Sequence, residues 1–199
     1  GKGFSAGHDL KEIRSLKKKP KYKKLFNSCS ELMLEIIEGR KPVIAKVHGA
    51  AFAAGCQLVA SCDLAISSDD AIFATPGVNI GLFCSTPMVA VSRKVSRKKT
   101  MKMLLTGDSI NAAYAKEIGL INDHYPISEL EDETLKLAKK IASKSNLTIK
   151  IGKKAFYKQL EMPLSKAYQY TSEVMTKNAM KLDAEEGISA FLEKRKPNW

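Results

Sequence analysis

The chain has 199 residues, of which 44% are hydrophobic and 27% charged, and its formal net charge is +12 at pH 7. These values are those of a globular protein with one sizeable core, and no apolar run approaches the roughly 18 residues of a membrane span. The spacing of the four cysteines and three histidines predicts reduced thiols and no metal site. The positive charge favours anionic partners.

The N-terminal segment predicts two helices. "FSAGHDL" is typical of a loop that leads into a helix over residues 9–16. The lysine cluster Lys17–Lys24 follows, and apolar residues at helical spacing after this cluster predict a longer helix that stops at Gly39.

Strands then begin to alternate with helices. "KPVIAKVHG" is rich in β-branched residues and predicts a strand, which feeds a tight turn of Ala and Gly. A helix begins near Gly55 or Cys56 and reaches Cys62, and "DLAISSD" predicts the next strand. "AIFATPGVNIG" predicts a strand or a loop that breaks at Pro76 and Gly77.

The rest of the chain is mainly helical. The predicted helices cover residues 86–95, 97–105, Asn111–Ile118, 128–144, 147–159, 163–180 and Ala184–Lys194. Early alternation of strands and helices followed by a helical C-terminal third is typical of an α/β or α+β fold.

The segment "GAAFAAGCQLVASCDLA" consists mainly of small residues and carries one polar side chain, Gln57, where a helix begins. Small residues leave the backbone N–H groups at a helix N-terminus unobstructed, and such donors stabilise an anion. Two donors that converge on one carbonyl oxygen form an oxyanion hole. Close packing of a strand on a helix also requires small residues, so spacing alone leaves both interpretations open.

Five segments in this order resemble the enoyl-CoA hydratase/isomerase (crotonase) superfamily. They are "FSAGHDL", "KPVIAKVHGAAFAAGCQLVASCDLAI", "FATPGVNIGL", "LLTGDSINAAYAKEIGLIN" and "EGISAFLEKRKPNW". The resemblance implies a spiral of ββα units with a C-terminal helical trimerisation region. It divides the chain into an acyl-CoA-binding core over residues 1–125 and a helical region over residues 126–199. Family members carry further strands before the first motif, so the prediction is a fold whose N-terminal strands are missing from this chain.

The resemblance also implies a binding site. The oxyanion hole is formed by the backbone N–H groups of His8 and Ala54. The coenzyme A part of the substrate lies along the first loop, whose predicted binding residues are Phe4, Ser5, Ala6, Asp9, Leu10 and Lys11. No separate cofactor is expected, because coenzyme A belongs to the substrate. The resemblance further implies that the protein is a lyase of fatty-acid and lipid metabolism in the mitochondrion. It also implies a homotrimer or a dimer of trimers and no membrane partner.

The sequence departs from the family at the catalytic carboxylates. The two glutamates of the hydratases align with Gln57 and Gly77, and the aspartate of the isomerases aligns near Ser85. Neither Gln nor Gly exchanges a proton near neutral pH, so hydratase activity is not expected. The open alternatives are an acyl-CoA-binding protein and a decarboxylase of malonyl-type CoA esters. The methylmalonyl-CoA decarboxylase branch shares His8, whereas its tyrosine aligns with Cys84.

The lysine cluster leaves a further alternative. One family member binds RNA through a lysine-rich helix, and Lys17–Lys24 is comparably basic. Pro20 interrupts the cluster, however, and aromatic residues are not interleaved as in base-stacking surfaces. A solvated basic face or attraction of the phosphates of coenzyme A accounts for the cluster better than nucleic acid does.

Overall fold

The chain divides into two units near residue 135 in the computed structural model, which describes residues 1–199. One unit comprises Gly1–Ile37 and Val43–Leu135, and the other comprises Glu38–Pro42 and Lys136–Trp199. All strands belong to the first unit, and no helix of the chain is long and apolar enough to cross a membrane.

Six short strands form two three-stranded sheets. Their bounds are β1 (Ile44–Val47), β2 (Ala50–Phe52), β3 (Leu64–Ser68), β4 (Ile72–Ala74), β5 (Ile110–Asn111) and β6 (Asp123–Tyr125). One sheet has the order β1-β3-β6 and is parallel throughout. The other has the order β2-β4-β5, in which β2 and β4 are parallel and β4 and β5 are antiparallel.

Ten α-helices and one 3-10 helix complete the chain. The helices are α1 (Leu10–Leu16), α2 (Lys19–Glu38), α3 (Ala54–Ser61), α4 (Ser85–Val91), α5 (Arg97–Thr106), α6 (Ala112–Glu117), α7 (Leu130–Ala142), α8 (Asn146–Leu160), α9 (Leu164–Ala179) and α10 (Leu182–Leu192). The 3-10 helix spans Pro76–Ile80. This mixed α/β architecture confirms the predicted fold class.

Helix α1 begins where the sequence predicts it, because the Asp9 carboxylate accepts the Lys11 N–H at 2.7 Å and caps the helix. The prediction for α2 was wrong at its start, since the helix begins at Lys19, inside the lysine cluster. Pro20 lies in the first turn, where the missing N–H of proline costs no helical hydrogen bond. The end of α2 at Glu38, before Gly39, agrees with the prediction.

The predicted tight turn of Ala and Gly was also wrong, because Ala50–Phe52 forms strand β2. Ala51 pairs with Phe73 of β4 and is fully buried. Only Ala53 remains as a turn residue, with a φ of +51° and a ψ of −115°, and α3 begins immediately after it at Ala54. Pairing with β4, rather than the weak strand propensity of Ala, therefore accounts for this strand.

The second unit is held at its C-terminus by a set of contacts that we call the tail clasp, formed by Glu186, Arg195, Asn198 and Trp199. The Arg195 guanidinium donates to both oxygens of the Glu186 carboxylate at 2.6 and 2.9 Å. The Asn198 N–H donates to the same carboxylate at 2.7 Å, and the Trp199 indole N–H donates to the Ser143 carbonyl at 3.0 Å.

Candidate active site

The loop before α1 lies against strand β2. The Ser5 N–H donates to the Ala50 carbonyl at 3.0 Å, and the Ser5 carbonyl accepts the Phe52 N–H at 2.8 Å. These two bonds form a parallel bridge between Ser5 and Ala51. Two of the segments that the resemblance assigns to the site are therefore adjacent in the fold.

The small residues allow this approach. A Cβ atom on Gly55 would overlap with the Ser5 carbonyl oxygen and lie 2.9 Å from Ser5 Oγ. Gly7 has a φ of +91°, and a Cβ atom there would lie 3.1 Å from the Ala54 nitrogen. Close packing thus explains the glycines, and the same packing brings the loop up to the N-terminus of α3.

Two backbone donors remain free at this junction. Neither the His8 N–H nor the Ala54 N–H donates to any group of the protein. Ala54 is the first residue of α3, whose N-terminal N–H groups have no helical acceptor and lie at the positive end of the helix dipole. An anionic oxygen at the junction is therefore electrostatically favoured.

Gln57 lies one turn further along α3 and is only 4% exposed. Its amide oxygen lies 4.0 Å from the Cys29 Sγ of α2, which is the distance of a weak S–H hydrogen bond. The His8 Nε2 atom is buried and has no hydrogen-bond partner. The His8 ring meets the Phe26 ring edge to face, with 5.5 Å between centroids. The side chain of His8 is therefore not directed to solvent.

Helix α2 thus contributes Phe26 and Cys29 to the site, and the sequence interpretation missed both residues. Helical spacing with Met33 marks Cys29 as a member of an apolar face, whereas Phe26 was not included in that pattern. This pattern did not reveal that the face covers His8 and Gln57.

Gly77 and Cys84 are in contact with each other. A Cβ atom on Gly77 would lie only 3.0 Å from the Cys84 sulfur. Helix α4, which begins after Cys84, packs against α3, so these residues and Gln57 belong to neighbouring elements. Ser85 is exposed at the start of α4, where its hydroxyl is 3.4 Å from the Phe83 carbonyl oxygen.

The cysteines around the site form no disulfide. Cys56, Cys62 and Cys84 are buried and Cys29 is half-buried, as the sequence predicts. Burial raises the pKa of Cys56 to about 12, and the nearby Cys84 adds to this effect. Burial also raises the pKa of Cys84, although the Gly77 N–H partly offsets it. Cys56 and Cys84 are therefore uncharged at neutral pH and poor nucleophiles.

The remaining predicted loop residues divide into two groups. Phe4 packs against the hydrophobic core, and Ser5 is fixed by its bridge to Ala51. Four others are exposed at the surface of the loop and the start of α1: Ala6, Asp9, Leu10 and Lys11.

Comparisons with known proteins agree with the resemblance. The sequence profile of the enoyl-CoA hydratase/isomerase family matches residues 1–199. Human "enoyl-CoA hydratase domain-containing protein 3, mitochondrial" is 51% identical over 199 residues, which are 100% of this chain and 66% of that protein. The mitochondrial enoyl-CoA hydratase of Pongo abelii is 34% identical over 199 residues, which are 100% of this chain and 68% of that protein. The names of these relatives support the predicted mitochondrial location.

Solved structures show the same fold. An enoyl-CoA hydratase from Mycobacterium smegmatis superposes with a TM-score of 0.98 at 49% identity, covering 100% of this chain and 77% of that one. The crystal structure of human enoyl-CoA hydratase domain-containing protein 3 superposes with a TM-score of 0.97 at 51% identity, covering 100% of this chain and 79% of that one. The chain spans 66% of the length of the first curated relatives that it matches.

Proposed function

Because the chain belongs to the enoyl-CoA hydratase/isomerase family, we propose that it binds acyl-CoA thioesters where the Phe4–Lys11 loop meets the segment Gly49–Gln57. The observation that supports this proposal is that the N–H groups of His8 and Ala54 at this junction have no acceptor in the protein. A thioester oxygen accepts both hydrogen bonds, and its negative charge in an enolate strengthens them. The bound molecule is a substrate in fatty-acid or lipid metabolism.

Ordinary hydratase chemistry is not part of this proposal. The hydratase mechanism needs one carboxylate to activate water and another group to deliver a proton. Gln57 occupies the first aligned position and Gly77 the second; the Cys29 thiol lies against Gln57 and the Cys84 thiol against Gly77. The oxyanion hole therefore acts without the acid and base that hydration requires.

Isothermal titration calorimetry of the full-length protein with acetyl-CoA and longer acyl-CoA esters tests this proposal. We expect saturable binding that is weakened when Ala54 is replaced by Pro, which removes the backbone donor at the first position of α3. Circular dichroism of the variant verifies that its fold is kept. Absence of heat at millimolar ligand contradicts acyl-CoA binding.

The second candidate function is decarboxylation of a malonyl-type CoA ester, and the buried, unpartnered Nε2 atom of His8 favours it. In this reaction the bond between the α-carbon and the carboxylate carbon breaks and CO2 leaves. The electron pair remains on the thioester as an enolate, which the two N–H groups stabilise. The imidazolium form of His8 then transfers its Nε2 proton to the α-carbon and is left as neutral imidazole. No base is needed, and a pocket without carboxylates does not repel the anionic substrate.

A panel of malonyl-, methylmalonyl- and crotonyl-CoA distinguishes these functions. We expect release of CO2 from a malonyl-type ester and hydration of crotonyl-CoA that is absent or very slow. Hydration at about 1 to 1000 turnovers per second, the usual range of enzymes, contradicts the assignment.

Apolar side chains on the C-terminal helices support self-assembly. Four of these side chains are 59–82% exposed: Met175 on α9 and Ile188, Phe191 and Leu192 on α10. Burying such surface against other copies is favourable, and family members are commonly oligomeric. We therefore expect a homotrimer or a dimer of trimers, and a stable monomer of the full-length protein in light scattering contradicts this expectation.

A further inference from the structure

A group of unpaired cations surrounds the corner between α1 and α2. We call it the lysine collar; its members are Lys11, Arg14, Lys17, Lys18, Lys19, Lys21, Lys23 and Lys24. All eight are exposed, and none forms an ion pair. Residues 10–30 contain one carboxylate, Glu12, so this segment carries a net charge of +7 of the +12 of the chain.

Helix stability does not account for the collar. Helix α2 has no acidic residue in its first turn and no basic residue in its last. Its lysines lie in the N-terminal half and its glutamates in the C-terminal half, and both ends therefore oppose the helix dipole. At 100° per residue, Lys19, Lys21, Lys23 and Lys24 spread over about 200° of the helix circumference, which is wider than a single packing face.

The collar lies beside the candidate site. Lys23 is three residues from Phe26 on α2, and residues at this spacing are neighbours on a helix surface. The Phe26 ring contacts His8, and Cys29 of the next turn contacts Gln57. On the other side, Lys11 follows the Asp9 cap of α1. The helix that covers the site therefore carries the charge.

The chemistry of the collar fits a diffuse interaction with phosphates. Seven of its eight cations are lysines, which are point charges on flexible chains, whereas bidentate phosphate binding favours arginine. Exposed charges contribute little energy to a formed contact because solvent screens them. They do act on the approach of a charged ligand, and summed fields of one sign raise association rates by about 10 to 1000-fold.

We propose that the lysine collar steers the phosphorylated nucleotide end of acyl-CoA to the site. It selects coenzyme A esters over phosphate-free pantetheine esters through the association rate. This inference rests on the proposed acyl-CoA binding. Apart from Lys11, which the resemblance assigns to the coenzyme A site, the collar makes no lasting contact with the phosphates. These lysines and Arg14 therefore raise the association rate constant and leave the dissociation rate constant unchanged.

Stopped-flow measurements of acetyl-CoA and acetyl-pantetheine binding over a salt series test the inference. The variant is Lys21→Glu/Lys23→Glu/Lys24→Glu, and the matched control is Lys144→Glu/Lys150→Glu/Lys154→Glu, which changes the net charge equally with exposed lysines outside the collar. Glutamates in the first turns of α2 favour the helix dipole, so the collar variant keeps its fold, which its melting temperature verifies.

For the wild type we expect the association rate of acetyl-CoA, but not of acetyl-pantetheine, to fall steeply with salt. At low salt, the acetyl-CoA association rate of the collar variant should be about tenfold lower than that of the wild type. The association rate of the control should fall by less than about twofold. If the association rate of acetyl-CoA is unchanged in the collar variant, or if that of acetyl-pantetheine falls equally, the steering inference is overturned while the proposed acyl-CoA binding stands. A wild type that binds neither ester overturns the proposed function as well. Tight RNA binding that the variant loses, without any change in acetyl-CoA association, assigns the collar to nucleic acid and overturns the inference.

Discussion

The backbone carbonyl of Leu82 occupies the space that a side chain on Gly77 would need. Leu82 and Gly77 are also joined by a hydrogen bond from the Leu82 N–H to the Gly77 carbonyl at 2.9 Å. The position that aligns with a hydratase glutamate is therefore closed to any Cβ atom. A carboxylate cannot be restored there without rebuilding the turn.

We expect Gly77→Ala to lower the free energy of unfolding by about 1–3 kcal/mol, the usual cost of overpacking. Urea unfolding measures this cost. Gly152→Ala is the matched control, since a methyl group on Gly152 in α8 would meet no atom within 4 Å, and it should stabilise by about 0.5–1 kcal/mol. The double substitution Gln57→Glu/Gly77→Glu should gain no crotonyl-CoA hydration, and substantial turnover would show that the turn can be rebuilt.

Ala53 supports a second prediction, because its positive φ is unfavourable for a residue with a Cβ atom. Ala53→Gly should raise the free energy of unfolding by about 1 kcal/mol. Ala50→Gly, in strand β2, should lower it by about 0.5–1 kcal/mol. Equal effects of both substitutions in urea unfolding would contradict strain at Ala53.

His8 combines a cost in stability with a proposed role in proton transfer. His8→Phe keeps a ring against Phe26 and removes the unpartnered Nε2, so it should stabilise the protein by about 1 kcal/mol. His8→Ala keeps the backbone donor and should reduce decarboxylation by about 100-fold or more, as loss of a general acid does. Activity within about twofold of the wild type, on every CoA ester that is turned over, excludes the side chain from catalysis.

The cysteines should differ in accessibility. Under native conditions an aromatic disulfide reagent should modify Cys29, the half-buried thiol, and leave Cys56, Cys62 and Cys84 intact until the protein is unfolded. Cys29→Ser should abolish the native reaction, whereas Cys62→Ser should leave it unchanged. Rapid native modification of a second thiol in the wild type would be inconsistent with the burial of the other three.

The tail clasp should respond to acid. The Arg195 guanidinium lowers the pKa of Glu186 from 4.5 to about 2, so the bond stabilises the clasp above pH 4.5 and is lost as the pH falls towards 2. Trp199, the single tryptophan, should then shift its fluorescence to longer wavelength over this range. Glu186→Gln should produce the shift at neutral pH with unchanged circular dichroism. Glu185→Gln serves as the control, and an equal shift in this variant would argue against the assigned contact.

The sequence predicted the helices better than the strands, for a physical reason. Helix signals are local: the Asp9 cap, the stop at Gly39 and the Asn111 cap, whose side chain accepts the Tyr114 N–H at 2.9 Å, all lie within a few residues of their helix. Strands β5 and β6 are two and three residues long and exist through pairing with β4 and β3. No local pattern predicts such pairing.

The site shows the same difference. The family resemblance predicts the backbone N–H groups of His8 and Ala54 as donors, and neither N–H group donates to the protein. The contacts of Phe26 and Cys29 with His8 and Gln57 depend on how α2 packs over the loop, and an apolar face at helical spacing does not specify its partner. The start of α2 was missed because lysines near a helix N-terminus are unfavourable.

The bridge between Ser5 and Ala51 also has a consequence for folding kinetics. It joins segments that are distant in sequence, and β2 itself depends on pairing with β4. Contacts of this kind carry a large loop-closure entropy and form late in folding. During refolding from urea, helical circular dichroism should therefore recover before affinity for acyl-CoA. A freshly synthesised chain should therefore gain the proposed affinity for acyl-CoA only after this bridge has closed.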